Sequence, residues 1–208
     1  MKTKLFITIV LLFALLVSCG NQEAEQAQSA EPAETESAAP AEAESESVSV
    51  RDAVEEYFAE MPDHIYKVNQ AEFLQMVAQG SDMTVIDIRR PDDYAEGHIK
   101  GAVNMPWGTP AMYEMLPYIP ADKPVFVNCY SGQTAGQAVA LMNIAGIPTR
   151  SINLGWNFGL SKVEGMQEFV ETAENTLPDT VQTEIPENIM EEYKAYYEET
   201  AEAAGTPF

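Results

Sequence analysis

Apolar residues fall along this chain in short blocks of two kinds, separated by polar turns. Blocks of the first kind are near-continuous and rich in β-branched residues: Ile65-Tyr66-Lys67-Val68, Met83-Thr84-Val85-Ile86-Asp87-Ile88, Ala102-Val103-Asn104-Met105, Val125-Phe126-Val127-Asn128, and Thr149 to Leu154. Their length and make-up predict strands covered on both faces. Blocks of the second kind repeat at helical spacing. Phe73, Leu74 and Val77 form one such face, entered through Asn69 as N-cap with Glu72 three residues on, and closed by Gly80. Val139, Leu141, Met142 and Ala145 form another, in a helix predicted from Thr134 to Ala145 and closed by Gly146. Pro110 to Leu116 reads as a short helix. Strands alternating with helices predict an α/β fold with a mostly parallel sheet flanked by helices on both faces.

Helical spacing recurs outside this core. Val54, Tyr57, Phe58 and Met61 precede it within a flank at 51–63, and Ile189, Tyr193, Tyr196 and Tyr197 follow it within an acidic C-terminal flank at 171–208. Both read as helices that dock on the domain between them, at 64–170.

The pattern at the chain start is different. Lys2 and Lys4 precede an uninterrupted apolar run from Leu5 to Val17, which is shorter than the roughly 20 residues of a membrane span and fits a signal peptide. The run ends Leu16-Val17-Ser18-Cys19, which resembles a bacterial lipobox. The expectation is a signal peptide at 1–18 and lipidation of Cys19, holding the protein on a membrane face outside the cytoplasm, periplasmic or cell-surface. Residues 21–50 are almost wholly Glu, Ala, Ser, Gln and Pro, so the segment 19–50 reads as a lipidated cysteine and a disordered acidic tether. Thirty such residues reach roughly 30 Å.

Charge narrows the partners. With 11 basic and 33 acidic residues the formal net charge is −22. That argues against nucleic acid and against adhesion to anionic lipid headgroups. The two cysteines are Cys19 and Cys129. If the first carries lipid, the second is a lone thiol outside the cytoplasm, a residue to suspect of reactivity. The two histidines, the free cysteine and scattered carboxylates form no metal-ligand spacing, so neither a metal nor a cofactor is expected.

The chemistry is concentrated at one junction. The strand Val125–Asn128 runs into Cys129-Tyr130-Ser131-Gly132-Gln133-Thr134-Ala135, and a helix follows. A cysteine at the carboxyl end of a parallel strand lies where α/β sheets place ligands. Loop amides and the first helical turn converge on its sulfur and favour the anionic nucleophile. Gly132 lets the backbone curl around it.

Two stretches here resemble the signatures of a rhodanese domain. The first runs from Val85 to Pro106 and contains Asp87-Ile88-Arg89, the acidic-aromatic pair Asp93-Tyr94, and Gly97-His98-Ile99-Lys100-Gly101-Ala102-Val103-Asn104. The second is the cysteine loop, similar to the family's Cys-x-x-Gly-x-Arg, with Gly146 to Trp156 similar to its closing strand and glycine-rich turn. The resemblance implies a five-stranded parallel sheet and a sulfurtransferase whose cysteine, Cys129, cycles through a persulfide held by the loop residues Tyr130 to Ala135. A small sulfur donor and a thiol acceptor are the implied partners. The resemblance gives His98 a structural turn rather than a catalytic part, and Arg89 is expected to pair with Asp92 or Asp93. His64 lies in a connector.

The loop departs from the family at its sixth position, where Thr134 replaces the arginine expected of a thiosulfate-type enzyme. A threonine offers one neutral hydroxyl in place of a charged fork. Thiosulfate is therefore a doubtful donor, unless Arg150 or Lys162 folds over the loop and restores the charge. Phosphatase relatives carry arginine one position further, where this chain has Ala135, so phosphate-ester hydrolysis is not expected. The alternative to a sulfurtransferase is a sulfur- or redox-sensing module that uses the same cysteine without turnover.

Overall fold

A computed structural model describes residues 48–204. Lys67–Val68 (β1), Thr84–Asp87 (β2), Ala102–Asn104 (β4), Val125–Asn128 (β5) and Thr149–Ile152 (β6) form a five-stranded sheet in the order β1-β6-β5-β2-β4. Every neighbouring pair in it is parallel. The sheet is thus wholly rather than mostly parallel, with β5 at its centre. Two further strands, His98–Ile99 (β3) and Val170–Glu171 (β7), make a small antiparallel pair that the apolar pattern does not reveal, because each is only two residues long.

Strand periodicity divides the core. Val125, Val127 and Cys129 point to one face, with Ile86, Ile88 and Val103. Phe126 points to the other, with Val85, Ala102 and Ile152. Ala135, Ala138, Val139 and Met142 of Gln133–Ile144 (α5) cover the first face, joined by Met112 of Ala111–Glu114 (α4) and by Ile189, Tyr193 and Tyr197 of Glu187–Ala204 (α6). Phe73 and Leu74 of Gln70–Ala78 (α2) and Tyr94 of Pro91–Glu96 (α3) cover the second. This is the α/β architecture expected of the sequence.

Helix ends follow from their residues. Asn69 accepts the Glu72 N–H through Oδ1 at 2.8 Å, which satisfies one of the four free donors at that terminus. After α2, the N–H of Gly80 donates to Val77 O and that of Ser81 to Met76 O, a Schellman closure that needs the positive φ of Gly80. The same pattern closes α5 through Gly146 and Ile147. Several expected elements are shorter than the apolar runs that signal them. Ile65 and Tyr66 adopt φ of 44° and 51°, so they form a turn ahead of β1. Met83, Ile88 and Met105 flank their strands, and Leu154 leaves β6 at φ 59°. The predicted helix at Pro110 to Leu116 is α4 followed by a 3-10 turn over Leu116–Tyr118.

The amino-terminal flank departs further from its reading. Its helix, Val50–Ala59 (α1), buries Ala53, whereas Phe58 is 64% exposed and Met61 lies beyond the helix end. The C-terminal reading differs at one position, since Tyr196 of α6 is exposed while its three companions are buried. Cys19, the apolar run and most of the acidic tether lie outside the described residues. Among the described residues no helix is long and apolar enough to cross a membrane.

Candidate active site

Cys129 leaves the carboxyl end of the central strand and is only 1% exposed. The next residues fold back over it. Gly132, at φ 89°, is the N-cap of α5, and its N–H donates to Cys129 Sγ at 3.0 Å. The Ala135 N–H, from the first turn of that helix, donates to Sγ at 3.4 Å. Two backbone donors and the positive end of α5 thus converge on one sulfur, a preorganised setting for negative charge there. Both donors are backbone groups, so the contact depends on the path of the chain, which Gly132 permits, rather than on any side chain of the loop.

The loop rests on a second turn that follows β6. The Trp156 N–H donates to Cys129 O at 2.7 Å and the Asn157 N–H to Tyr130 O at 2.8 Å. Gly155 precedes them at φ 56°. A Cβ there would collide with Cys129 O and lie 2.9 Å from both the Ser131 and Gly132 nitrogens. The turn therefore touches the loop backbone directly. Gly155 carries this close approach, and its only sequence signal is a glycine after the closing strand.

A buried ion pair fastens the surroundings. Asp87, Asn104 and Asn128 lie abreast at the ends of β2, β4 and β5. Asp87 holds Arg89 by Nη2 to Oδ2 at 2.7 Å and by Nε to both oxygens at 3.0 Å, with the two side chains 1% and 3% exposed. Arg89 Nη2 also donates to Gly97 O at 2.7 Å, and its guanidinium lies 4.0 Å from the Trp156 ring centroid. Arg89 thus pairs with Asp87, not with Asp92 or Asp93 as expected. Its planar fork bridges β2, the turn before β3 and the turn beneath the cysteine loop. Asp93 instead accepts the Tyr130 hydroxyl, which in turn accepts the Arg90 N–H at 3.0 Å. Burial, then the bond to Asp93, holds the Tyr130 phenol above its ordinary range, so it remains a donor. The cysteine loop is tied to α3 through this phenol.

His98 is buried and stacked on Tyr94 at 3.6 Å, with Nδ1 2.8 Å from Tyr94 O and Nε2 3.8 Å from Glu171. These contacts belong to the β3–β7 corner and fit a structural part.

Beside the loop opens a cleft of about 550 Å³. Tyr130, Ser131, Gln133 and Thr134 form one wall, while Ile88, Pro106 and Trp107 contribute apolar surface. Among the described residues that line it, Arg90 and Asp92 are the charged ones. Neither cation proposed to replace the loop arginine lines it. Arg150 donates to Lys67 O at 2.7 Å, pairs with Glu72 at 3.4 Å and lies over Phe126. Lys162 belongs to a 3-10 turn beyond Gly159 and does not line the cleft. Arg90, singled out by nothing in the sequence pattern, is the cation that does.

Residues 69–161 match the family model described as the rhodanese-like domain. Solved structures similar to this chain include the reduced CoADR-RHD of Bacillus anthracis, at 26% identity and TM-score 0.37, covering 44% of this chain and 16% of that one. A rhodanese-related protein from Thermoplasma volcanium is 20% identical with TM-score 0.39, covering 51% and 98%. The thiosulfate sulfurtransferase of Pseudomonas aeruginosa is 17% identical with TM-score 0.44, covering 71% and 26%. No curated protein matches the chain.

Proposed function

Because this chain carries a rhodanese-like domain, we propose that it is a sulfurtransferase that moves sulfane sulfur through a persulfide on Cys129. The observation that carries the reading is the pair of amides, Gly132 N–H at 3.0 Å and Ala135 N–H at 3.4 Å, aimed at one thiol sulfur. Such donors stabilise the attacking thiolate without a neighbouring base. In the first half-reaction Cys129 Sγ attacks the outer sulfur of a donor. The S–S bond to the donor's remainder breaks, and the electron pair leaves with that remainder. In the second half-reaction an acceptor thiolate attacks the outer sulfur of the persulfide and restores the Cys129 thiolate. No cofactor takes part and no net oxidation occurs.

The near-complete burial of Cys129 favours a second reading, a sensor that gains sulfur but does not hand it on. The two readings separate in one experiment. Protein loaded with sulfur is freed of donor, mixed with a small thiol and followed by intact mass. Loss of one sulfur atom, with matching persulfide on the thiol, supports transfer. A stable adduct in excess thiol supports sensing.

The cell-envelope location belongs to the same proposal: a lipid on Cys19 with the segment from residue 21 to the start of α1, which takes Ser49 and Val50 out of the expected tether, as the spacer. Cys19→Ala should abolish lipid labelling and release the domain or leave an unprocessed precursor. Normal processing and unchanged membrane retention in that variant would remove the anchor from the account.

A further inference from the structure

The cleft beside the cysteine loop contains a cation that the transfer chemistry above does not use. Arg90 is exposed and forms no salt bridge with any described residue, although Asp92 lines the same cleft. Among the nine described cations, Arg51, Arg89, Lys123, Arg150 and Lys194 each have a carboxylate partner, whereas Lys67, Arg90, Lys100 and Lys162 have none, and of these four Arg90 is the one that lines the cleft. Arg90 is also anchored at its root: its backbone N–H is held by Tyr130 of the cysteine loop at 3.0 Å. Its backbone is therefore fixed against the cysteine loop.

The rest of the lining selects the ligand. The loop residues of the lining, Ser131, Gln133 and Thr134, are neutral, Ile88, Pro106 and Trp107 add apolar surface, and Asp92 is the one carboxylate. A volume of about 550 Å³ falls in the range of sites for organic ligands. A bare inorganic dianion would meet one cation and gain nothing from the indole. A carboxylate matches a guanidinium fork, and an organic body matches Trp107.

Resting on the Cys129 carrier reading, we infer that this cleft admits an organic persulfide bearing a carboxylate, with the carboxylate on Arg90, the carbon skeleton against Trp107 and the sulfane sulfur directed at Cys129. The Cys129 thiolate forms a bond to the outer sulfur, which keeps its proton. The S–S bond of the donor breaks, and the organic thiolate leaves with the electron pair. Arg90 acts as a specificity-determining residue. It takes up the charge that the loop itself cannot, since Thr134 stands there.

The test uses single-turnover loading of the protein with three donors: N-acetylcysteine persulfide, its neutral amide, and thiosulfate. Intact mass reports sulfur on Cys129. The parent should load about 10-fold faster from the acid than from the amide, the low end for an accessible charge-assisted hydrogen bond. In Arg90→Gln that ratio should fall to about 1, and in Arg90→Lys to an intermediate value, because the charge remains but the fork is lost. Thermal unfolding of both variants should match the parent, as befits an exposed side chain. An acid-to-amide ratio near 1 in the parent, a ratio that survives in Arg90→Gln, or fastest loading from thiosulfate would each overturn the inference and leave Cys129 as carrier. Absence of sulfur on Cys129 from every donor would overturn the carrier reading and this inference with it.

Discussion

Replacing Gly155 by alanine should disturb the cysteine site although it substitutes neither the cysteine, nor a residue that donates to it, nor a residue that lines the cleft. Gly155 sits at φ 56°, where an L side chain costs about 1–2 kcal/mol. The new methyl would also meet backbone: Cys129 O, and the Ser131 and Gly132 nitrogens at 2.9 Å. Backbone in a loop fixed by the Trp156 and Asn157 amides cannot swing aside as a flexible side chain does. Overpacking of this kind costs about 1–3 kcal/mol, giving about 2–5 kcal/mol in all. At roughly 2–4 °C per kcal/mol for a domain of this size, the thermal midpoint should fall by roughly 4–20 °C. Any relief must come from lifting the loop, which carries Sγ away from the Gly132 and Ala135 amides. Sulfur loading of Cys129 should therefore slow even well below the unfolding temperature. Gly136 is the control. It lies within α5 with nothing within 4 Å of an added Cβ, so alanine there should be neutral or stabilise by about 0.5–1 kcal/mol. The assay pairs thermal unfolding with single-turnover loading for both variants. Parent-like stability and loading in Gly155→Ala would refute the claim that the turn after β6 sets the loop.

Arg89→Ala leaves Asp87 buried without its partner and should cost about 3–5 kcal/mol, read as a fall in the denaturation midpoint; a change under about 1 kcal/mol would show that Arg89 does not fasten this end of the sheet. Tyr197 is buried, and its hydroxyl has no hydrogen-bond partner among the described residues, so Tyr197→Phe should be neutral or slightly stabilising by chemical denaturation; a loss above about 1 kcal/mol would mean the hydroxyl is satisfied. Glu171 accepts the Gly101 N–H at 2.6 Å and an Asn175 N–H at 2.9 Å, and these bonds, the first foremost, hold its carboxyl below the ordinary range. A carboxylate with a depressed folded pKa contributes stability above its unfolded value of about 4.3 and loses it as pH falls through the folded value. Glu171→Gln should therefore be less stable than the parent at pH 7, with the gap closing below about pH 4; an unchanged gap at acid pH would contradict the assignment.

The sequence discloses most where physics is local. The caps at Asn69, Gly80 and Gly146 are readable because side-chain acceptors and glycines act within a few residues of themselves. Cys129 at the end of the central strand is readable because an apolar block, a cysteine and a helical repeat are contiguous. Contacts decided by tertiary geometry are not. Arg89 has three carboxylates within four residues, and only the strand-end geometry of Asp87, set by its neighbours on β4 and β5, selects the partner. Gly155 contacts a loop more than twenty positions earlier, a proximity created by the pairing of β5 with β6. In the sequence Arg90 is one charge among several, because its lack of a partner is a property of the folded surface. Arg150 and Lys162, the cations proposed to serve the loop, lie too far along the chain for sequence to place, and the fold sets both away from the cleft.

The central claim is that Cys129 carries sulfur during turnover. The most direct measurement quenches a reaction supplied with a persulfide donor and a thiol acceptor at successive times, alkylates the protein and determines the mass of the Cys129 peptide. The account predicts one additional sulfur on that peptide, formed before product appears and decaying at the rate of turnover when donor is exhausted, with no transfer by Cys129→Ser. Product that accumulates while Cys129 stays unmodified, or transfer that survives in Cys129→Ser, would contradict it.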